Sequence, residues 1–266
     1  MLRQVSFNDS LAVVLAGGFG RRLKISHPKM PKQFLNLTNR SKSILQETIE
    51  RIIFLGFKNI LVIGNILHQD LLNKQIGHYV GVKFFLETVS CNTGVASCVG
   101  FKYAKENNFN DVYIFPSDHY IDNLNSFRDA LRMAKKKKNF VIFGVTPFQI
   151  NTQYGYILHK NGVFFIEKPH TDLAKQLIRQ GALWNSGIVY SNVEFANEYL
   201  LKHNPEMYNT ESCYQSLSGL SFDDAVLSKT TCIEMVVLKE VSWYDMGSDE
   251  SRLIVRRLKT IRSQLL

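Results

Sequence analysis

Cysteine is scarce in this chain. Four stand among 266 residues, at positions 91, 98, 213 and 232, with no C-x-x-C pair and no histidine cluster beside them. A disulfide scaffold and a structural zinc site are excluded on that basis, and a reducing compartment is the expectation. Proline is also sparse, at 6 residues, and glycine numbers 16, which excludes collagen-like and low-complexity chains. No apolar run approaches the roughly 20 residues needed to cross a bilayer. Arg3 precedes an apolar run at 11–16, but the polar segment 6–10 intervenes and Gly17-Gly18 ends the run. A signal peptide has no such break, so a buried strand leading into a glycine loop is expected there. Acidic side chains are in deficit, 23 against 32 basic ones, giving a formal charge of +9. A basic surface favours anionic partners such as phosphorylated metabolites, nucleic acid or acidic lipid, and charge alone does not choose among them.

The 45% of hydrophobic residues suffices for one sizeable core or two unequal lobes. Their spacing alternates between two periods. Short apolar runs at 11–15, 59–64, 82–86, 111–115 and 140–145 read as strands. Between them, 43–55, 69–78, 95–106 and 127–138 read as helices. In the first helix Ile44, Leu45, Ile49, Ile52 and Ile53 form an apolar side, with Glu47, Glu50 and Arg51 among the rest, and Gly56 is a plausible stop. Lys135–Lys138 are expected to end the fourth helix, where cations suit the macrodipole. This alternation predicts an α/β fold of βαβ units on a mainly parallel sheet with helices on both faces. Such sheets bind ligands outside the carboxyl ends of their strands, here at Gly17-Gly18 and at 116–119.

Past Pro147 the texture changes. A short β pair is expected at 154–158 and 163–166 across Lys160-Asn161-Gly162. Helices are expected at 173–180 and 194–203. A last β run at 232–238 precedes a turn at 243–248 and a basic C-terminal helix. No linker or internal repeat is visible, so a single domain over 1–266 is expected, its two parts meeting at about 145–146.

The segment Gly17-Gly18-Phe19-Gly20-Arg21-Arg22-Leu23 is the first to carry chemistry. A glycine loop after a strand lets backbone N–H groups approach a phosphate. It is neither a dinucleotide fingerprint, which needs glycine where Leu23 stands, nor a P-loop, which ends in Gly-Lys-Ser/Thr. Arg22 adds a guanidinium fork suited to phosphate oxygens. Lys32 follows in a proline-stiffened stretch, Pro31-Lys32-Gln33-Phe34-Leu35.

These two segments together resemble the sugar-1-phosphate nucleotidyltransferases, most closely the mannose-1-phosphate guanylyltransferases. The resemblance continues in the family's order through Glu87 with Asn92-Thr93, Pro116-Ser117-Asp118-His119 and Tyr154-Gly155-Tyr156-Ile157. It goes on through Glu167-Lys168-Pro169, Trp184-Asn185-Ser186-Gly187, Ser221-Phe222-Asp223 and Trp243-Tyr244-Asp245-Met246-Gly247. The resemblance implies a Rossmann-like mixed, mainly parallel sheet flanked by helices, the glycosyltransferase-A-like nucleotidyltransferase architecture. It implies that a sugar 1-phosphate oxygen attacks the α-phosphorus of a nucleoside triphosphate and pyrophosphate leaves. Two anions must meet, so positioning and charge neutralisation are the main tasks.

By the same resemblance Asp118 and Asp245 bind one Mg²⁺, which typically takes one or two carboxylates. Arg22, Lys32 and Lys168 are the implied catalytic cations, the first two on the triphosphate and Lys168 on the sugar phosphate. Leu15, Ala16, Gly17, Gly18, Gly20, Asn92 and Thr93 are implied to line the nucleotide with them. Glu87 is a candidate base reader, because a carboxylate can accept both the N1–H and N2–H₂ of guanine, a pair that uracil and thymine cannot offer. Gly155, Glu167 and Asn185 are candidates for the sugar. The implied substrates are GTP and mannose 1-phosphate, and the implied setting is cytoplasmic polysaccharide or glycoprotein precursor synthesis, with no membrane or nucleic-acid partner. An oligomer is compatible with this reading. The chain departs from the family pattern at Arg21, Cys91, Gln153 and Asp224. It stops soon after Asp245, so the β-helical or isomerase domain of many relatives is not expected. Another sugar or nucleotide, and a catalytically silent regulatory subunit, stand as alternatives; a nucleic-acid binder lacks any recognition motif.

Overall fold

The structure, a computed structural model, describes residues 6–19, 30–38, 41–89, 92–209 and 219–265. In chain order its elements are β1 (Ser10–Ala16), α1 (Ile44–Leu55), β2 (Asn59–Asn65), α2 (Gln69–Ile76), β3 (Val82–Glu87), α3 (Asn92–Glu106), β4 (Asp111–Pro116) and β5 (His119–Ile121). Then come α4 (Leu124–Ala134), β6 (Phe140–Val145), β7 (Tyr156–His159), β8 (Val163–Ile166), α5 (Thr171–Arg179) and β9 (Leu183–Asn192). The chain continues with α6 (Val193–His203), α7 (Pro205–Tyr208), β10 (Ile233–Val237), β11 (Trp243–Asp245) and α8 (Asp249–Leu265). Among the described residues, no helix is long and apolar enough to cross a membrane.

The main sheet runs β10-β6-β9-β4-β1-β2-β3, with the β7–β8 hairpin attached to β9. β1 pairs parallel with β2 and β4, β2 with β3, and β6 with β10. β9 runs antiparallel between β4 and β6, which makes the sheet mixed. This is the α/β architecture that the alternating pattern predicts. Strand period two divides the core. Ala12, Val14 and Ala16 of β1 pack beneath α1, α2, α4 and α5, while Leu11 and Val13 face α3, α6 and α7. Fully burying one such branched side chain contributes about 1.5–3 kcal/mol.

Local signals explain most boundaries. Ser43 and Gln46 close a capping box at the start of α1, and Gly56 ends it in a left-handed conformation, φ +106°. Asn161 and Gly162, both at positive φ, turn the β7–β8 hairpin.

The structure corrects several expectations. Helix α4 stops at Ala134, so the lysine run lies beyond it. Lys136 and Lys137 donate their N–H groups to Met133 and Ala134 in tight turns, and Lys135 and Lys137 pair with Asp111 and Glu234. Helix α3 begins at Asn92, ahead of the expected 95. Residues 243–245 form a strand rather than the start of a turn, pairing with β5. Strand β9 carries the Trp184–Gly187 motif, for which no strand was expected: its residues are buried on both faces, so period two is lost from the sequence. Arg51, expected among the polar residues of α1, is buried, whereas Ile53 is partly exposed.

Candidate functional site

The sheet reverses its order at β1: β2 and β3 lie to one side of it and β4 to the other. At such switch points the loops after neighbouring strands part and leave a crevice. Here the crevice is a cavity of about 840 Å³. The loop after β1 supplies Gly17 and Gly18, the turn after β4 supplies Ser117 and Asp118, and β11 supplies Asp245.

Asp118 and Asp245 are brought together by the small β5–β11 ribbon. Asp245 stands opposite His119 in its register, and the Met246 N–H donates to the Asp118 carbonyl at 3.2 Å. Donor atoms of Asp118, His119 and Asp245 all lie within 4.8 Å of one another. Lys32 pairs with Asp118 and stands 3.5 Å from Asp245, so the two carboxylates already share one cationic group. Paired carboxylates are the donor set that a hard divalent cation prefers. His119 fits that set less well. The Trp243 indole N–H donates to its Nδ1 at 3.2 Å, which leaves the proton of the neutral ring on Nε2, 3.9 Å from Asp118. Burial lowers the His119 pKa, so the neutral ring is the form present at pH 7. Its protonated nitrogen is therefore a donor to an anion, and the two carboxylates are the groups that could hold a cation.

Helix α1 braces this turn from behind. The Thr48 hydroxyl donates to the Ser117 carbonyl at 3.2 Å. Arg51 donates to the His119 carbonyl at 3.0 Å and to Thr48 Oγ1 at 2.9 Å. Only 7% of Arg51 is exposed, and burial lowers its pKa to about 10, which still leaves it charged at neutral pH. The sequence signal was present: Thr48 and Arg51 follow Ile44 at helical spacing, a polar pair on a buried stripe.

With that geometry in view, comparison with known proteins gives a direct match. A profile of the nucleotidyl transferase family aligns with residues 11–258. The chain belongs to that family. It is 32% identical to a putative mannose-1-phosphate guanylyltransferase of Vibrio cholerae over 90% of this chain and 58% of the relative. It is 30% identical to mannose-1-phosphate guanylyltransferase 2 of Escherichia coli O157:H7, covering 91% and 58%. The chain thus spans little more than half the length of these relatives. Among solved structures, that of mannose-1-phosphate geranyltransferase from Thermus thermophilus superposes with a TM-score of 0.79 at 25% identity, covering 90% of this chain and 76% of that one. Members of the family typically use a divalent metal.

In this nucleotidyl transferase, the residues singled out by sequence for the nucleotide sit mostly on one wall. Leu15, Gly17, Gly18, Lys32, Glu87, Asn92 and Thr93 line the cavity. Ala16 does not: strand alternation turns it into the core, and its carbonyl accepts the Gln33 amide at 2.9 Å. Gln33 also donates to the Gly18 carbonyl at 2.8 Å, so it braces the glycine loop, a role the sequence reading missed. Gly20 and Arg22 lie outside the described residues, as do Arg21 and Cys91.

Glu87 ends β3 with only 3% of its surface exposed. Among the described residues its Oε1 has no hydrogen-bond partner, and burial raises its pKa to about 7. A Cβ at position 17 would stand 2.6 Å from Glu87 Oε2, so glycine is what allows this approach. Asn92, at φ +60°, and Thr93 are partly engaged elsewhere. The Asn92 amide donates to the Gly219 carbonyl at 3.0 Å, and Thr93 Oγ1 accepts the Phe222 N–H at 3.0 Å.

The opposite wall holds Gly155, Glu167, Lys168 and Asn185. Lys168 pairs with Glu167 and adopts φ +37°, a conformation that costs a non-glycine residue energy and is typical of functional sites. The Asn185 N–H donates to the Gly155 carbonyl at 2.8 Å. A side chain at 155 would collide with the Phe165 ring at 2.6 Å and press on Glu167. Gln153, which the sequence places near the sugar, lines the cavity, as do Trp243 and Asp223, to which the sequence reading gave no role in the site.

Proposed function

We propose that this nucleotidyl transferase moves a guanylyl group from GTP to mannose 1-phosphate, giving GDP-mannose and pyrophosphate with Mg²⁺ as the metal. The observation that carries this reading is the placement of the paired carboxylates. Asp118 and Asp245 share a cavity with Glu87, one oxygen of which has no partner among the described residues, on one wall and with Glu167, Lys168 and Asn185 on the other.

In the proposed reaction a phosphate oxygen of the sugar 1-phosphate attacks the α-phosphorus, and the bond from that phosphorus to the β-phosphate bridge breaks. Mg²⁺ held by Asp118 and Asp245 would neutralise the α-phosphate and the incoming phosphate. The protein's own groups supply the rest. Backbone N–H groups of Gly17 and Gly18 and the cations Arg22 and Lys32 bind the triphosphate. Lys168 turns from Glu167 to the sugar phosphate and aligns it. Glu87, once ionised, accepts the N1–H and N2–H₂ of guanine. His119 stays neutral and offers its Nε2–H to Asp118 or to a phosphate oxygen. The identity of about 30% to guanylyltransferases supports the base and the sugar.

Gln153 favours a second reading, in which the chemistry stays and the sugar changes. It lines the cavity at one of the positions where the chain departs from the family pattern, and a side chain there would take room from a sugar. One experiment tests both readings. Pyrophosphate release is measured over four nucleoside triphosphates and several sugar 1-phosphates, with and without Mg²⁺. GTP with mannose 1-phosphate is the expected best pair. A preference for UTP or dTTP overturns the role of Glu87, and no release from any pair overturns the reaction.

A further inference from the structure

We propose that Asp223 reads a hydroxyl group of the sugar, working as a pair with Asn185. The proposal rests on the nucleotidyl-transfer reading above.

Asp223 opens a single π-helical turn, Asp223–Leu227, and lines the cavity on the wall of Gly155, Glu167 and Lys168. Its Oδ1 accepts the Asn185 Nδ2–H at 3.0 Å. Asn185 Oδ1 in turn accepts the Gly187 N–H at 3.2 Å. With its oxygen engaged there, the Asn185 amide cannot flip, and it presents its N–H₂ to Asp223. The second Asp223 oxygen has no hydrogen bond among the described residues. One oxygen of the acid and one N–H of the amide are thus left for a ligand, side by side.

The backbone that carries Asp223 is held firmly. The Gly94 N–H, in the first turn of α3, donates to the Leu220 carbonyl at 3.1 Å, and the Phe222 N–H donates to Thr93. A dedicated reader needs such support, because a carboxylate on a free loop has no fixed direction.

Charge decides what Asp223 faces. Glu167, Lys168 and Asp224 act on it, and Lys168 is paired with Glu167. Burial and the charge of Glu167 raise its pKa to about 7, so near neutrality it has a proton to give or a lone pair to offer. A carboxyl group repels phosphate in its ionised form. The part of a sugar 1-phosphate that suits it is the uncharged ring, whose hydroxyls both donate and accept. Sites built to bond a substrate hydroxyl reject analogues that lack it, because the buried partner is left unpaired.

The test uses the full chain with GTP, mannose 1-phosphate and its four monodeoxy analogues, comparing wild type with D223A and D223N. Wild type is expected to lose at least tenfold in kcat/KM on one analogue. D223A should lose at least tenfold on mannose 1-phosphate and no more on that analogue, with the KM for GTP within twofold of wild type. Circular dichroism checks folding, and if D223A fails it, D223N carries the same comparison at unchanged volume. An equal loss on mannose 1-phosphate and all four analogues, or no loss at all, overturns the proposal. A wild type that releases no pyrophosphate with any sugar 1-phosphate overturns the proposed function and this inference with it, whereas active wild type with an unaltered variant overturns this inference alone.

Discussion

The two walls of the cavity are built by different means. The wall holding Gly17, Gly18 and Glu87 comes from the ends of the parallel strands β1 and β3, and among the described residues its buried acid has one oxygen without a hydrogen-bond partner. The wall holding Glu167, Lys168, Asn185 and Asp223 follows from the antiparallel part of the sheet, and its polar groups bond one another. On the first wall Glu87 keeps an acceptor oxygen that no described residue uses. On the second the Lys168–Glu167 pair and the Asn185–Asp223 bond tie the groups together, so a ligand reaching Lys168 must compete with Glu167. A ligand on the first wall is then met by an unused acceptor, whereas one on the second competes with bonds already made.

Four experiments break or sharpen this contrast. The largest effect is expected from Asp245→Asn, because the carboxylate pair serves both walls. Turnover should fall at least a hundredfold, about 2.7–4 kcal/mol of barrier, measured as pyrophosphate release across a Mg²⁺ titration; near-normal turnover would remove Asp245 from the site. Next, Lys168→Ala confines damage to the second wall. About a thirtyfold loss of kcat/KM for the sugar phosphate, about 2 kcal/mol, should leave the KM for GTP within threefold, and parallel losses for both substrates would show that the walls do not act separately.

Glu87→Gln confines damage to the first wall. The preference for GTP over UTP should drop about tenfold, about 1.4 kcal/mol. The Glu87 pKa is raised to about 7, so its base-reading form is present above that pH and lost as pH falls through it. Wild-type GTP affinity should therefore weaken between pH 8 and pH 6, while E87Q stays flat. Stability runs the opposite way: a carboxyl whose folded pKa is raised favours the folded state at low pH and loses that contribution as pH rises through 7. E87Q should accordingly melt higher than wild type at pH 8 and level with it at pH 5. The smallest effect belongs to Thr48→Val, which removes the hydroxyl donor to the Ser117 carbonyl. It should cost about 1 kcal/mol in a urea titration and touch neither substrate preferentially.

Much of the first wall was legible in the sequence. Its elements alternate at βαβ spacing, and a glycine loop follows its first strand, so pattern and position point to the same place. The second wall was legible only through resemblance. β9 is buried on both faces and shows no alternation, and nothing local to residue 223 tells that its carboxyl meets Asn185. Arg51 failed for a related reason. A charged residue in an amphipathic helix reads as solvent-facing, and only the fold shows a carbonyl and a hydroxyl oxygen placed to receive it. Lys135–Lys138 misled in the opposite way, since helix-end lysines are common and the turn that follows Ala134 leaves no periodic trace.

The pairing of β5 with β11 has a consequence for how the enzyme is made. Asp118 lies near the middle of the chain, and its counterpart sits on the last strand. During synthesis the first must wait on the order of ten seconds for the second to emerge. A nascent polypeptide cut short before Trp243 holds only one of the two paired carboxylates. The acidic pair is thus complete only once β11 has been made and has paired with β5.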